Sequence, residues 1–425
     1  MRLMRRVLRT DVTPEAALML LSARARALGL PQPAALCGDW FGSRAIIAPS
    51  ARLTAFRDTA EAFAIPAGQP EVRDAVPGAI GGGWFGYLSY DLTDPSGRTG
   101  ALPPATWGWV DHVVRWDVEG RCWFEALVPD GEPDPLALLS TVSSALSGPV
   151  PAVSWAAGPL NQPLPSDHHS AVKACVHAIE AGELFQANIC SRFTAVFNGD
   201  PAALFAEGVR RLHPRRAAYL AGDWGAIASF SPELFLARHG KNVRSTPIKG
   251  TLPRRDAADA HLAQRLREST KDVAENVMIT DLVRNDLGRV CEVGSVRVPE
   301  LLKVRPAPGV WHLESTVEGR VATGDAELLA ATFPPGSVTG APKIRALDLI
   351  AELEPVARGV YTGAIGLASP IAGLELNVAI RTFEVHSGRI ALGVGGGITA
   401  DSDAVAEWQE CLHKAAPLSR LLATP

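Results

Sequence analysis

The sequence predicts an α+β fold with largely antiparallel sheets. Two observations carry this: runs with strand character outnumber clear β-α-β units, and one long stretch reads as a meander. Residues 1–150 read as short strands and helices divided by Gly and Pro. Within them GGGWFGYLSYDL (81–92) reads as a strand entered through a glycine turn. A Pro-, Ser- and Gly-rich stretch, roughly 129–168, has the composition of a linker or long loop. Beyond it, His169 to Ala181 has the periodicity of an amphipathic helix, and NICSRFTAVF (188–197) that of a strand. The meander begins at residue 217, and a helical stretch of about 256–288 follows, with Asp272 as a cap candidate near its middle. Residues 341–353 read as a helix opened by Pro342, and strands are expected near 361–369, 374–385 and 389–394. Asp401, Ser402 and Asp403 are cap candidates for a last helix at about 403–422.

Composition narrows the function classes. Net charge is −4 with no block of like charges, so no broad basic field for nucleic acid is expected. No apolar run reaches the roughly 18 residues of a membrane span, and the basic start MRLMRRVLRTD lacks the apolar region of a secretory signal. Six scattered cysteines without a C-x-x-C pair argue against a disulfide framework or zinc site, and a reduced cytoplasmic protein is expected. Of 41 basic residues only seven are lysines, none before Lys173. Arginine is the default cation here, so a retained lysine can mark a task that needs loss of a proton. Lys249, Lys343 and Lys414 all fall in dense motifs.

In AEWQECLHKA (406–415), Glu407, Glu410 and Lys414 project from one helical face. Two carboxylates there can hold a hard divalent cation, or the set can be a solvated face with a Glu–Lys pair. In KDVAENVMITDLVRNDLG (271–288), Asp281 and Arg284 can form an internal ion pair, and Glu275 points along an apolar face where it needs a partner. SPELF (231–235) and STPIKGTLPRR (245–255) place Lys249 in a Pro–Gly turn. A nucleophilic lysine must be neutral, and near its ordinary pKa of ~10.4 only on the order of 0.1% is neutral at pH 7.5. Burial or neighbouring cations have to lower that value. The glycines of GVGGGITADSD (393–403) can cup an anion with backbone amides but do not match a dinucleotide fingerprint. His312, Tyr361 and Arg381 stand as isolated polar residues in apolar runs, and a buried cation such as Arg381 marks an anion site.

In their order and spacing, GELFQAN, SPELF, PIKGT, AENVMITDLVRNDLGRV, PPGSVTGAPKIRA, RGVYTGAIG, AIRTF, GGGITADSD and EWQECLHKA make residues 170–425 resemble the chorismate-utilising enzymes. GGGWFGYLSYDL extends the resemblance toward the amino terminus. It implies one folding unit, with 1–150 as its amino-terminal part and 165–425 as the chorismate-binding catalytic region. It further implies two antiparallel sheets packed face to face, helices outside. Glu275 and Glu410 match the positions that hold Mg2+ in the family, with Glu407 near the metal through water. Tyr361, Arg381 and the amides of Gly395, Gly396 and Gly397 match those that bind the enolpyruvyl carboxylate. Gly250, Thr251, Ser337 and Lys414 fall with the substrate pocket, and His312 beside the ring.

Family members that add water carry a lysine base where this chain has Gln186, and anthranilate-forming members usually read Pro-Ile-Ala-Gly-Thr where it has Lys249. The chain thus resembles the aminodeoxychorismate-forming branch. That resemblance implies attack of Lys249 on ring C2, Glu233 as general acid, and ammonia addition at C4. No cysteine lies in a G-x-C-x-G context, so ammonia is expected from a separate glutamine amidotransferase subunit. Anthranilate synthase and amino-isochorismate synthase are the enzymatic alternatives, and a catalytically dead regulatory homologue is the other.

Overall fold

Strand Ala34–Trp40 shows how the layers arise. Ala34 and Leu36 fall in one buried cluster, Ala35 and Cys37 in another, so both faces of the strand are covered. A strand buried on both faces reads as a continuous apolar run, which is why AALC shows no polar alternation. The computed structural model describes residues 1–254 and 256–423, which build two large antiparallel sheets of this kind. The first runs Arg2–Leu8, Cys122–Val128, His112–Asp117, Ser43–Ala48, Ala34–Trp40, Arg216–Gly222, Gly225–Ser231, Thr382–His386, Arg389–Ile398, Gln186–Gly199, Gly340–Ala341. The second runs Ile248–Pro253, Val310–Arg320, Asn242–Thr246, Leu234–His239, Gly373–Val378, Ala364–Ser369, Gly83–Leu88, Ala105–Val110, Thr54–Phe56. Each sheet takes strands from both before and after the 129–168 stretch.

Leu36, Ile46, Phe85, Leu220, Ile365 and Leu367 fill the space between the sheets. Helices lie outside, as expected. Pro14–Leu28, Pro201–Leu212 and Ala404–Ala423 share a core with the first sheet, and Thr59–Ala64, Thr270–Gly288 and Asp325–Thr332 with the second. No helix among the described residues is long and apolar enough to cross a membrane.

Several expected boundaries are corrected. The stretch 129–168 is more than a linker, holding helix Leu136–Leu146, strand Trp155–Ala157 and the start of helix Pro165–Glu180. Val142, Leu146 and Trp155 are buried with Leu18 and Leu21, so a few apolar side chains override the loop-like composition. The helical stretch near 256–288 breaks at Ser269 into Ala260–Glu268 and Thr270–Gly288. Ser269, not Asp272, is the cap: its Oγ accepts the Asp272 amide at 3.3 Å. The strand expected over 374–385 is two, Gly373–Val378 and Thr382–His386, which lie in different sheets, and Arg381 sits in the crossover at φ 51. The strand expected near 361 starts at Ala364, and Pro342 caps helix Lys343–Leu353 rather than beginning it.

That helix is pinned by its first residue. Lys343 Nζ donates to the carbonyls of Thr332 and Pro334 (2.7 and 2.9 Å) and pairs with buried Asp286 at 2.6 Å. Lys343→Ala strands the Asp286 carboxylate, and breaking a buried pair this way costs about 3–5 kcal/mol. Denaturant unfolding is expected to show a loss of that size; a loss below about 1 kcal/mol would mean that the pair is not needed.

Candidate active site

Lys249 stands on strand Ile248–Pro253, where Gly250 turns the backbone at φ 88. A Cβ on Gly250 would meet Asp272 at 2.9 Å, so the glycine lets the strand lie against helix Thr270–Gly288. Lys249 is only 8% exposed, with Nζ 3.8 Å from Glu275 Oε2 on that helix. Burial pulls its pKa below the ordinary lysine value; Glu275 opposes this, and the Lys414 charge adds to it.

Glu233 lies between strands Gly225–Ser231 and Leu234–His239 and is buried. Ser337, on the turn Gly336–Val338, donates its hydroxyl to Glu233 Oε1 at 2.6 Å. Burial raises the Glu233 pKa to about 7, against the lowering pull of Ser337, Lys249 and the Ile248 amide. A carboxyl near 7 can deliver a proton at neutral pH. His312, on strand Val310–Arg320, has Nδ1 3.1 Å from Thr251 Oγ1, while its buried Nε2 has no partner among the described residues. Burial, then the charges of Arg381 and Arg215, push its pKa down to about 3, so the imidazole is neutral at physiological pH.

Three lysines and three glutamates interlock beside the glycine strand Arg389–Ile398. Lys249 faces Glu275, Lys271 pairs with Glu407 at 3.1 Å, and Lys414 with Glu410 at 2.7 Å. From the position a Cβ would take on Gly396, Glu407 Oε2, Lys414 Nζ and Glu410 Oε1 lie at 3.3, 3.6 and 3.7 Å. From that on Gly397, Lys249 Nζ lies at 3.0 Å. Lys414 also donates to the Gly395 carbonyl at 2.9 Å. Glu407 is buried, whereas the Glu410 and Lys414 side chains keep exposures of 48% and 44% and meet solvent.

Among the described residues no three His, Cys, Asp or Glu side chains gather as a ready metal cage. The donor set nevertheless fits a hard cation bound through few protein oxygens and completed by substrate and water. Its donors are carboxylates, and Glu407 Oε2 is buried without a hydrogen-bond partner among the described residues.

Tyr361 is buried in the segment before strand Ala364–Ser369, and a Cβ on Gly393 would collide with its ring. Arg381 is half-buried; burial lowers its pKa, with no carboxylate offsetting the effect. An arginine so placed is a ready partner for an anionic ligand. Asp281 and Arg284 form an exposed ion pair at 2.7 Å, apart from Glu275 on their shared helix.

Two groups were not singled out as part of this set from sequence. Lys271 completes the lysine–glutamate lattice, and the scarcity of lysine that marked Lys249 applies equally to it. Gln186 is 1% exposed with Oε1 unpartnered among the described residues, and its amide crowds Gly397. Only the fold reveals that contact.

A buried amine beside the glycine strand, an acid poised near neutrality that feels its charge, and an arginine whose pKa burial alone lowers are groups suited to a small anionic molecule. Residues 37–420 match the chorismate binding enzyme family, and the chain belongs to that family. It is 45% identical to aminodeoxychorismate synthase component 1 of Klebsiella aerogenes over 240 residues, 56% of this chain and 53% of that protein. The chain thus spans about half the length of that relative. It is 37% identical to anthranilate synthase component 1 of Streptomyces coelicolor over 367 residues, 78% of this chain and 71% of that protein. The crystal structure of anthranilate synthase component I from Streptococcus pneumoniae superposes with a TM-score of 0.75 at 27% identity, over 92% of this chain and 90% of that one.

Proposed function

We propose that this protein aminates chorismate at C4 with ammonia, giving 4-amino-4-deoxychorismate through a covalent Lys249 intermediate. The observation that carries the reading is the buried Lys249 amine, its pKa lowered, in the same electrostatic neighbourhood as Glu233 near 7. Neutral Lys249 attacks ring C2, the two ring double bonds shift, and the C4 hydroxyl leaves as water with the Glu233 proton. Ammonia then adds at C4, the double bonds shift back, and the lysine amine departs. Dividing one difficult displacement into two is the usual gain of a covalent intermediate. Arg381 and Tyr361 grip the enolpyruvyl carboxylate beside Gly395, Gly396 and Gly397. Gly250, Thr251, Ser337 and Lys414 border the ring, and neutral His312 offers Nε2 to it.

Glu275 and Glu410, with Glu407 through water, would hold Mg2+, which supplies charge neutralisation for the ring carboxylate. Glu410→Ala is expected to weaken Mg2+ binding at least about 10-fold in calorimetric titrations without turnover. Unchanged Mg2+ affinity would overturn this assignment.

Ammonia comes, in this reading, from a separate glutamine amidotransferase subunit, and the product feeds para-aminobenzoate and folate synthesis. The names of relatives such as the Klebsiella protein support it, and six free cysteines suit a reducing cytoplasm. Incubation with chorismate, Mg2+ and ammonium, followed by mass identification of the amine, is the test. Anthranilate with released pyruvate would replace this reading with that of the Streptomyces relative; no turnover would favour a binding subunit.

A further inference from the structure

We propose that Ser89, Tyr90 and Asp91 form a positioning clamp for Tyr361, so that the amino-terminal motif GGGWFGYLSYDL serves the substrate site from outside it. The role of Tyr361 in holding substrate rests on the chorismate reading above; the clamp itself rests on geometry. Asp91 is 9% exposed and both its carboxylate oxygens are engaged. Oδ1 accepts the Gly359 amide at 2.8 Å and Oδ2 the Gly100 amide at 2.7 Å. The carbonyl of the same Gly359 accepts the Tyr90 amide at 3.0 Å and the Ser89 hydroxyl. Both polar groups of one peptide residue, two positions before Tyr361, are therefore held by three consecutive residues of a distant segment.

The preceding residue is fixed as well. The Arg358 guanidinium lies 4.5 Å from the centre of the Tyr90 ring. It donates to the carbonyls of Asn188 and Val338 and to Glu354 (2.5, 2.9 and 2.6 Å), which ties it to the strand beside the glycines and to the Ser337 turn. Beyond Tyr361, Thr362 sits at φ 65, a conformation that a β-branched residue adopts only when its surroundings impose it. Its amide donates to Ala379 at 2.9 Å, so the strained turn is anchored at both ends with Tyr361 between the anchors. Loosening the Asp91 end lets the turn relax and the phenol leave its place against Gly393.

Asp91→Ala and Asp91→Asn test this beside a control, Glu125→Gln. Glu125 is also buried and accepts the Ile80 and Gly81 amides (2.7 and 3.1 Å) at the opposite, leading end of the same motif. Asp91→Ala is expected to raise the KM for chorismate about 10-fold or more with kcat changed less than about threefold. Asparagine, which keeps one acceptor, is expected to restore most of it. Glu125→Gln is expected to lower Tm yet leave KM within about twofold. Equal KM shifts in Asp91→Ala and Glu125→Gln, or an unchanged KM in Asp91→Ala, would overturn the clamp. Amide hydrogen exchange over 359–363 gives a readout independent of substrate: it should accelerate in the Asp91 variants and not in Glu125→Gln. If the wild type makes nothing from chorismate, the substrate reading falls, and the exchange data alone decide the clamp: acceleration confined to the Asp91 variants upholds it and its absence overturns it.

Discussion

Lys249→Ala is expected to lower 4-amino-4-deoxychorismate formation by on the order of 10³-fold while chorismate and Mg2+ still bind. In the proposed sequence the amine is the protein group that bonds to the ring before ammonia does, so its loss removes a step rather than weakening one. The carboxylate grips are separate: Arg381 and Tyr361 do not depend on it, and Glu275 loses only a lysine counter-charge 3.8 Å away. Residual turnover is expected to shift toward direct attack of ammonia at C2, seen as an anthranilate-type product in the chromatogram. A variant that retains more than about a tenth of wild-type amination would sink the covalent route.

Glu233→Gln comes next in size, with an expected fall in amination of about 10²–10⁴-fold, the range of a lost general acid. The pH profile carries the sharper signature. Glu233 works protonated, so the wild-type rate should fall as pH rises through about 7. Lys249 works neutral, which gives a limb rising with pH, and the product is a bell. Glutamine removes the falling limb. Stability falls over the same pH range. The folded-state pKa lies above the ordinary value of 4.5, so proton binding favours the fold at low pH, and that contribution is lost as pH rises through about 7. At pH 8 the buried carboxylate then opposes folding by on the order of 3 kcal/mol, and Glu233→Gln should unfold at higher denaturant there. A variant both slower and less stable at pH 8 would contradict a charged, buried Glu233.

What the sequence made legible follows from the range of each signal. Alternation, turn residues and caps act over a few positions, so the strands after residue 217, the helix over 169–181 and Asp403 at the last helix were readable, but not that the expected meander divides between the two sheets after Ser231; Asp403 accepts the amides of Val405 and Ala406. The helix Leu136–Leu146 was hidden because its support is tertiary. The split at Ala379–Arg381 was hidden because one apolar run serves two sheets in turn. For the site, residue types were visible and partners were not: the Glu407–Glu410–Lys414 face could be drawn from spacing, but its link to Lys271 spans 136 positions. Ser337 beside Glu233, and Asp91 beside Gly359, are likewise contacts between distant segments.

The interleaving of early and late strands in both sheets also bears on synthesis. Ala34–Trp40 bonds to Arg216–Gly222, and Gly83–Leu88 to Ala364–Ser369, so strands made early wait for partners made much later. Their open edges stay exposed on the nascent chain, the state most prone to intermolecular pairing. High contact order makes the final closure slow. Producing residues 165–425 alone would leave Arg216–Gly222 and Ala364–Ser369 with bare edges, so aggregation during expression, rather than a weakened enzyme, is the outcome this topology dictates.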